Sequence, residues 1–372
     1  MEKGAIMQLE GIMIHKLNVS MKSVSYYVPK GRKDNQKVIS DFLDFAGNDL
    51  RDDEKEQIIA GMKRKFQFLD ISMRACVNEG EQETSIGMAA KVAKDAIDRA
   101  GLRLNDIDLL LFVGVSNPFR EPTFSNLIAY QIGLENKEYY DINDTCNGFI
   151  KAIDIASMYI EMNHVNNVLI VTCENPDELL REVKGNFHLS SMREIDRYMT
   201  LLLSGTAAAA MVIGKNYGEH VIQSYGELRK SKDWDLSIIS LPATILPKEI
   251  EKQGHIIMQS DGMGIASGVI EMMPEFVLNY LRKEGCEGQY IDHVFSHQMG
   301  RNTTYAIMKK LGIDVKKQLP VNEFANMGNL ACANIPVSIG IAVEKNILKK
   351  GASILLLSSS CGLNVSAVKM IW

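Results

Sequence analysis

Apolar residues in this chain come in short unbroken runs rather than in alternation with polar ones. Leu109 to Phe112, Val168 to Val171, Val294-Phe295 and Ile354 to Leu357 are the clearest. Runs of that length with no polar face predict strands buried on both sides, as in sheets covered by helices. Between them lie helical patterns. An amphipathic helix is predicted from Thr84 or Ser85, a plausible N-cap, to Ala100, with Gly101 as its stop. Tyr139 to Ile150 reads as a strand, a tight turn holding one cysteine, then an almost wholly apolar helix to about Met162. The class is therefore α/β and layered.

The order of elements occurs twice. Thr145 to Thr172 and Ala331 to Ser358 match without gaps at an offset of 186 residues, each as Cys, apolar helix, turn, apolar strand. Cys146 matches Cys332, and Val168 to Val171 matches Ile354 to Leu357. Upstream, Ile107 to Gly133 parallels Ile291 to Gly312. Two halves are expected, residues 1–215 and 216–372, the first lengthened by excursions at 34–70 and 174–200. Such excursions cap substrate entrances or subunit contacts.

Composition narrows the classes. The 372 residues are 46% hydrophobic, enough for extensive cores. The net charge of −5, from 41 basic and 46 acidic residues spread throughout, leaves no footprint for nucleic acid. Lys63-Arg64-Lys65 is the main basic patch and reads as a solvated face. The six cysteines lie far apart, none in Cys-x-x-Cys spacing, which points to a reduced cytoplasmic protein without a disulfide framework or zinc site. The first residues lack a signal-peptide pattern, and no apolar run has membrane length, Leu201 to Ile213 being a shorter one. No glycine-rich nucleotide loop or metal-ligand cluster occurs, so neither a metal nor a redox cofactor is expected.

Three residues carry candidate chemistry. Cys146 opens a buried helix, where unpaired N–H groups and the helix dipole are expected to bring its pKa from about 8.5 toward neutrality. A buried structural cysteine is the alternative. His297 follows an apolar strand at its carboxyl end, where ligand crevices form in parallel sheets. Asn329 follows Gly328 just ahead of the repeat helix. Taken alone, the histidine reads as structural and the asparagine as a turn or cap. Cys332, flanked by Ala331 and Ala333, reads as core.

Together these residues resemble the condensing enzymes of the thiolase superfamily, in particular the ketoacyl synthase III (FabH-like) group and, in motifs, its OleA branch. Asp144-Thr145-Cys146-Asn147-Gly148-Phe149 resembles the nucleophile turn, and Ser204-Gly205-Thr206-Ala207-Ala208-Ala209 the interior strand. His297-Gln298 and Gly328-Asn329, with Pro336 following, resemble the histidine and asparagine motifs, and Ser360 to Ser366 the carboxyl-terminal one. The resemblance covers roughly residues 20–372. It implies a five-layered αβαβα fold of two duplicated halves and a homodimer.

The same resemblance implies a site. Cys146 would take an acyl group from acyl-CoA or acyl carrier protein, and the backbone N–H groups of Cys146 and Cys361 would hold the oxyanion. His297 and Asn329 would stabilise the enolate of a second thioester. Glu121, in Pro118-Phe119-Arg120-Glu121-Pro122, would act as base in the partner subunit's site, and Arg74 and Phe119 would contact substrate, Arg74 at a phosphopantetheine or CoA phosphate. The product would be a β-keto compound of specialised lipid or polyketide synthesis. Alternatives are a decarboxylating initiator of fatty-acid synthesis using malonyl carrier protein, an acyltransferase to an amine or alcohol, and a silent heterodimer partner. The sequence departs from the family at Val24 and Ser25, at Gln298-Met299-Gly300, at Cys361 in place of glycine, and over residues 34–70.

Overall fold

In the computed structural model the unalternating runs are strands whose two faces are both covered. The structure describes residues 11–46, 50–78, 83–183, 195–240 and 258–372. The strands are β1 (Met13–Tyr27), β2 (Gly31–Asp34), β3 (Met73–Cys76), β4 (Leu109–Val113), β5 (Glu138–Ile142), β6 (Asn167–Glu174) and β7 (Ala207–Lys215). They continue with β8 (Val221–Arg229), β9 (Ser237–Ile239), β10 (Met258–Ser260), β11 (His293–Ser296), β12 (Ser353–Ser360) and β13 (Asn364–Ile371). Nine of them run in the order β11-β12-β13-β8-β1-β7-β6-β4-β5, and β2–β3 and β9–β10 form separate ribbons. The long strand β1 serves both halves, pairing with β7 over Val19–Tyr27 and with β8 over Met13–Ser20.

Helices follow as α1 (Asn35–Ala46), α2 (Asp52–Leu69), α3 (Ser85–Arg99), α4 (Phe124–Ile132), α5 (Gly148–Glu161), α6 (Pro176–Val183) and α7 (Ile195–Leu203). After them come α8 (Gly262–Lys283), α9 (Arg301–Lys310) and α10 (Asn334–Glu344). Along β4, Leu109, Leu111 and Val113 face a core built on α5 and α10, while Leu110 and Phe112 face α3 and α4. Along β12, Ile354 and Leu356 face that same central core, and Leu355 and Leu357 face α8 and α9. Side chains alternate across a strand, so a helix on each face demands apolar residues at both parities. The layers read α3/α4, sheet, α5/α10, sheet, α8/α9, which is the five-layered αβαβα arrangement.

The central helices have no polar stripe because a sheet lies on each side of them. In α10 every residue from Asn334 to Ala342 is buried. The amphipathic α3 has water on one side, and it starts where Thr84 accepts the Gly87 N–H at 3.1 Å. Gly101, just past its end, takes φ +67°, a value open to glycine. The excursions fold together, α1 and α2 burying Phe42, Ile58 and Phe66 against Tyr198 and Leu202 of α7. Part of the second excursion, residues 184–194, lies outside the described residues.

The run Leu201 to Ile213 is two elements, the end of α7 and β7, divided at Ser204-Gly205. A Cβ on Gly205 would sit 1.9 Å from the Met327 carbonyl oxygen, so only glycine lets the Asn329 segment approach here. Among the described residues no helix is long and apolar enough to cross a membrane.

Candidate active site

Cys146 lies in a tight 3-10 turn, Thr145–Asn147, between β5 and α5. Thr145 holds φ +46°, a strained value for a β-branched residue, so the turn needs outside support. Asp144 supplies it. Its carboxylate accepts both Arg229 Nη atoms at 2.9 and 3.0 Å, Asn147 Nδ2 at 2.7 Å and Asn364 Nδ2 at 3.1 Å. Arg229 in turn bonds Glu227 at 3.0 Å, and Lys151 reaches Glu227 at 2.9 Å. Burial pushes the Glu227 carboxyl up, but bonds from Tyr225, Lys151 and Arg229 outweigh it and hold the group below its usual range. Two strands of the second half thus clamp the turn of the first.

The Cys146 thiol corrects the expectation of a lowered pKa. Burial pushes it well above its usual range, and the neighbouring Cys361, Glu174 and Asp144 push the same way. Removing a thiolate from water outweighs the partial charge of one helix end. The thiol is at rest and protonated. Cys361 stands in the turn between β12 and β13, and Ser358 Oγ donates to the Cys146 carbonyl at 3.4 Å.

The second half brings the other two residues. Asn329 is held through its backbone, its N–H donating to Leu203 O at 2.8 Å and its carbonyl accepting Gly205 N–H at 2.9 Å. Its side-chain oxygen accepts the Ala331 N–H at 2.9 Å, which leaves the amide NH2 as the free donor. His297 follows β11, its N–H donating to Leu357 O at 2.9 Å. Burial lowers its pKa to about 4 despite the Asn334 side chain and Ala331 backbone beside it, so the imidazole is neutral. Gln298 works as a strut, donating to Val321 O at 3.1 Å and accepting Phe324 N–H at 3.1 Å.

Cys146 and Asn329 line one cavity, walled by Val115, Ser116, Glu174 and Ala331 and closed by Leu179, Leu201 and Ile239. His297 adjoins it through Ala331. The remaining predicted residues stand apart from it within this chain. Glu121 and Phe119 are exposed in the loop between β4 and α4, which Asn117 Nδ2 ties to Asp141 of the outermost strand β5 at 3.1 Å. Arg74 is buried rather than displayed at the surface. Its guanidinium lies 4.3 Å over the Phe66 ring, its Nε donates to Leu202 O at 2.9 Å, and Nη1 bonds Asn35.

Two features escaped the sequence reading. The first is that the repeat extends upstream of the cysteines. Asn143 and Asn329 are also 186 residues apart, and Asn143 Oδ1 accepts the Thr145 N–H at 3.3 Å as Asn329 Oδ1 accepts that of Ala331. Thr145 and Ala331 share a left-handed φ, +46° and +44°. The signal was the shared Asn-x-x-Cys spacing. The second is Glu174, 2% exposed in the cavity wall. Its signal was a charge ending an eight-residue strand that is otherwise buried.

Comparisons with known proteins agree along the chain. The profile of the 3-oxoacyl-[acyl-carrier-protein (ACP)] synthase III family matches residues 140–226, and that of its C-terminal region matches residues 281–372. Beta-ketoacyl-[acyl-carrier-protein] synthase III of Helicobacter pylori is 28% identical over 91% of this chain and 93% of its own. The Clostridium perfringens enzyme of that name is 25% identical over 94% and 98%. Among solved structures, OleA of Xanthomonas campestris superposes with a TM-score of 0.79 at 20% identity, covering 96% of this chain and 98% of that one. FabH of Xanthomonas oryzae gives 0.77 at 20% identity over 96% and 100%. These structural likenesses establish the shared fold. Both family profiles fall in order on the two halves that meet at the Cys146 cavity, and with the named relatives they support a FabH-like condensing enzyme, an acyltransferase of the ketoacyl synthase III kind.

Proposed function

We propose that the protein loads an acyl group on Cys146 from an acyl-CoA or acyl carrier protein thioester and condenses it with a second thioester to give a β-keto product in specialised lipid or polyketide synthesis. In loading, Cys146 Sγ attacks the thioester carbonyl and the carrier thiol leaves, taking up the proton that the cysteine loses. The backbone N–H groups of Cys146 and Cys361 hold the oxyanion meanwhile. In condensation the second thioester becomes an enolate, its oxygen held by the Asn329 amide and the neutral His297 N–H. Its carbon attacks the Cys146 thioester, the new C–C bond forms, and the cysteine sulfur leaves. The observation that carries this reading is the single cavity shared by the thiol and by an asparagine whose oxygen is already occupied, leaving only a donor.

Glu121 is the base in this reading, acting across a homodimer formed along β5, and the enzyme works in the cytoplasm. Support for the dimer comes from the exposed loop of Glu121 beside an edge strand that carries Tyr139 in the open. An unpaired strand edge seeks a partner. Phe119, 36% exposed in the same loop, would touch the partner's substrate. A second reading keeps the loading step but draws the enolate from malonyl carrier protein by decarboxylation, and the names of the curated relatives favour it. Intact-protein mass spectrometry separates the two. An acyl adduct on Cys146 discharged by a plain acyl thioester, and not discharged in Glu121→Gln, is the expected result. Discharge by malonyl carrier protein alone, untouched by Glu121→Gln, supports the second reading and overturns the first.

A further inference from the structure

Glu174 ends β6 with its carboxylate in the wall of the Cys146 cavity, and no step above uses it. One oxygen accepts the Val115 N–H at 3.0 Å and the Cys332 N–H at 3.3 Å. The other accepts the Ser116 N–H at 3.1 Å and the Ser116 hydroxyl at 2.7 Å. The donors come from two places, the loop after β4 that continues to Phe119 and Glu121, and the turn that follows Asn329. Both oxygens are filled by donors, which argues against a role as a proton acceptor.

A neutral side chain could have met part of this demand, yet a carboxylate is buried here, and among the described residues no Lys, Arg or His forms an ion pair with it. A buried charge without a cation is a costly choice and calls for a reason. We propose that Glu174 is a positioning residue for condensation, tying the Val115-Ser116 wall to the Asn329 turn so that the amide donor keeps its place across the cavity from Cys146. This rests on the condensing role proposed above.

The titratable neighbours of Cys146 define a readout that a purely structural tie would not move. Asp144 is neutralised by Arg229, the Cys361 and Cys332 thiols are pushed up by burial, and His297 is neutral. Burial pushes the Glu174 carboxyl up against the bonds from Val115, Ser116 and Cys332, and among the described residues it is the acidic neighbour of Cys146 that has no cation of its own. In Glu174→Gln the kcat of condensation is expected to fall at least about tenfold with the KM for loading unchanged. The pH profile for iodoacetamide alkylation of Cys146, read by peptide mass spectrometry, is expected to move about half a unit or more to lower pH.

Wild-type kcat, or an unmoved alkylation profile, in folded Glu174→Gln overturns the proposal. Should that variant fail to fold, Ser116→Ala carries the test, since it keeps the charge and deletes the 2.7 Å bond. A several-fold drop in kcat supports the proposal and an unchanged kcat overturns it. Alkylation needs no acyl substrate, so a wild-type protein that loads no thioester sinks the condensing role while this readout still decides on Glu174.

Discussion

The turns at Cys146 and Cys332 are copies of one structure with opposite uses. Each runs Asn-x-x-Cys, with the asparagine oxygen on an N–H two residues on, a left-handed residue before the cysteine, a 3-10 turn and a buried helix. Cys146 opens on the cavity. Cys332 is 2% exposed, and its Sγ donates to Thr145 O at 2.9 Å, so it braces the first turn. The asparagines exchange roles the other way, Asn329 lining the cavity and Asn143 only closing its turn. At the strand ends, the register opposite β6 and β12 puts Val113 where the second half has His297. The two frames are alike, and in the proposed mechanism the chemistry takes the thiol of one and the donors of the other.

Swapping residues between the copies tests this division. Cys146→Ala should abolish acyl loading and cut condensation at least about a thousandfold, whereas Cys332→Ala should still load. An adduct on Cys146→Ala protein in intact-mass spectra would break the comparison at once.

Next in size is a pH effect on stability. Burial lowers His297 from its ordinary 6.5 to about 4, so the folded protein keeps it neutral while the unfolded chain protonates it below 6.5. Its contribution is complete above about 6.5 and is lost as pH falls toward 4, amounting to about 3 kcal/mol. His297→Val, which copies the first half into the second, should remove about that much of the difference between denaturant unfolding at pH 7 and pH 4. Equal pH dependence in the two proteins would show that the imidazole is solvated.

Asn329→Ala should slow condensation about a hundredfold with loading intact, as expected for removal of one oxyanion donor. Asn143→Ala should stay within a few-fold in rate and lose about 1 kcal/mol of stability, seen as a shift in denaturant midpoint. Similar rate losses in both would mean that turn closure, not donation, is what Asn329 provides. An effect between those of Asn329→Ala and Asn143→Ala is expected at the clamp. Arg229→Met leaves Asp144 without its cation and should lower the loading rate about tenfold, measured by stopped alkylation or burst kinetics.

Much of this was legible from local pattern. The strands β4, β6, β11 and β12 were readable because residues buried on both faces leave no alternation, and α3 because a cap, a stripe and a glycine stop all lie within one stretch. Cys146, Asn329 and His297 were readable because each stands in a loop leading into a helix. What could not be read depends on closure between distant segments. Arg229 meets Asp144 across 85 positions, and Glu174 meets Cys332 across 158. The protonated state of Cys146 follows from burial by the second half, which a reading confined to one helix start could not weigh. The break at Gly205 within an apolar run is set by the Met327 carbonyl, far away in sequence.

The strand β1 has a consequence for how the molecule comes apart. Its first part pairs with β8 and its last part with β7, and both edges are used over Val19 and Ser20. Neither half can release its sheet without stripping a strand from the other, so melting should proceed as one cooperative transition rather than as two. Splitting the gene at the symmetric midpoint would accordingly yield fragments that remain unfolded until they find each other.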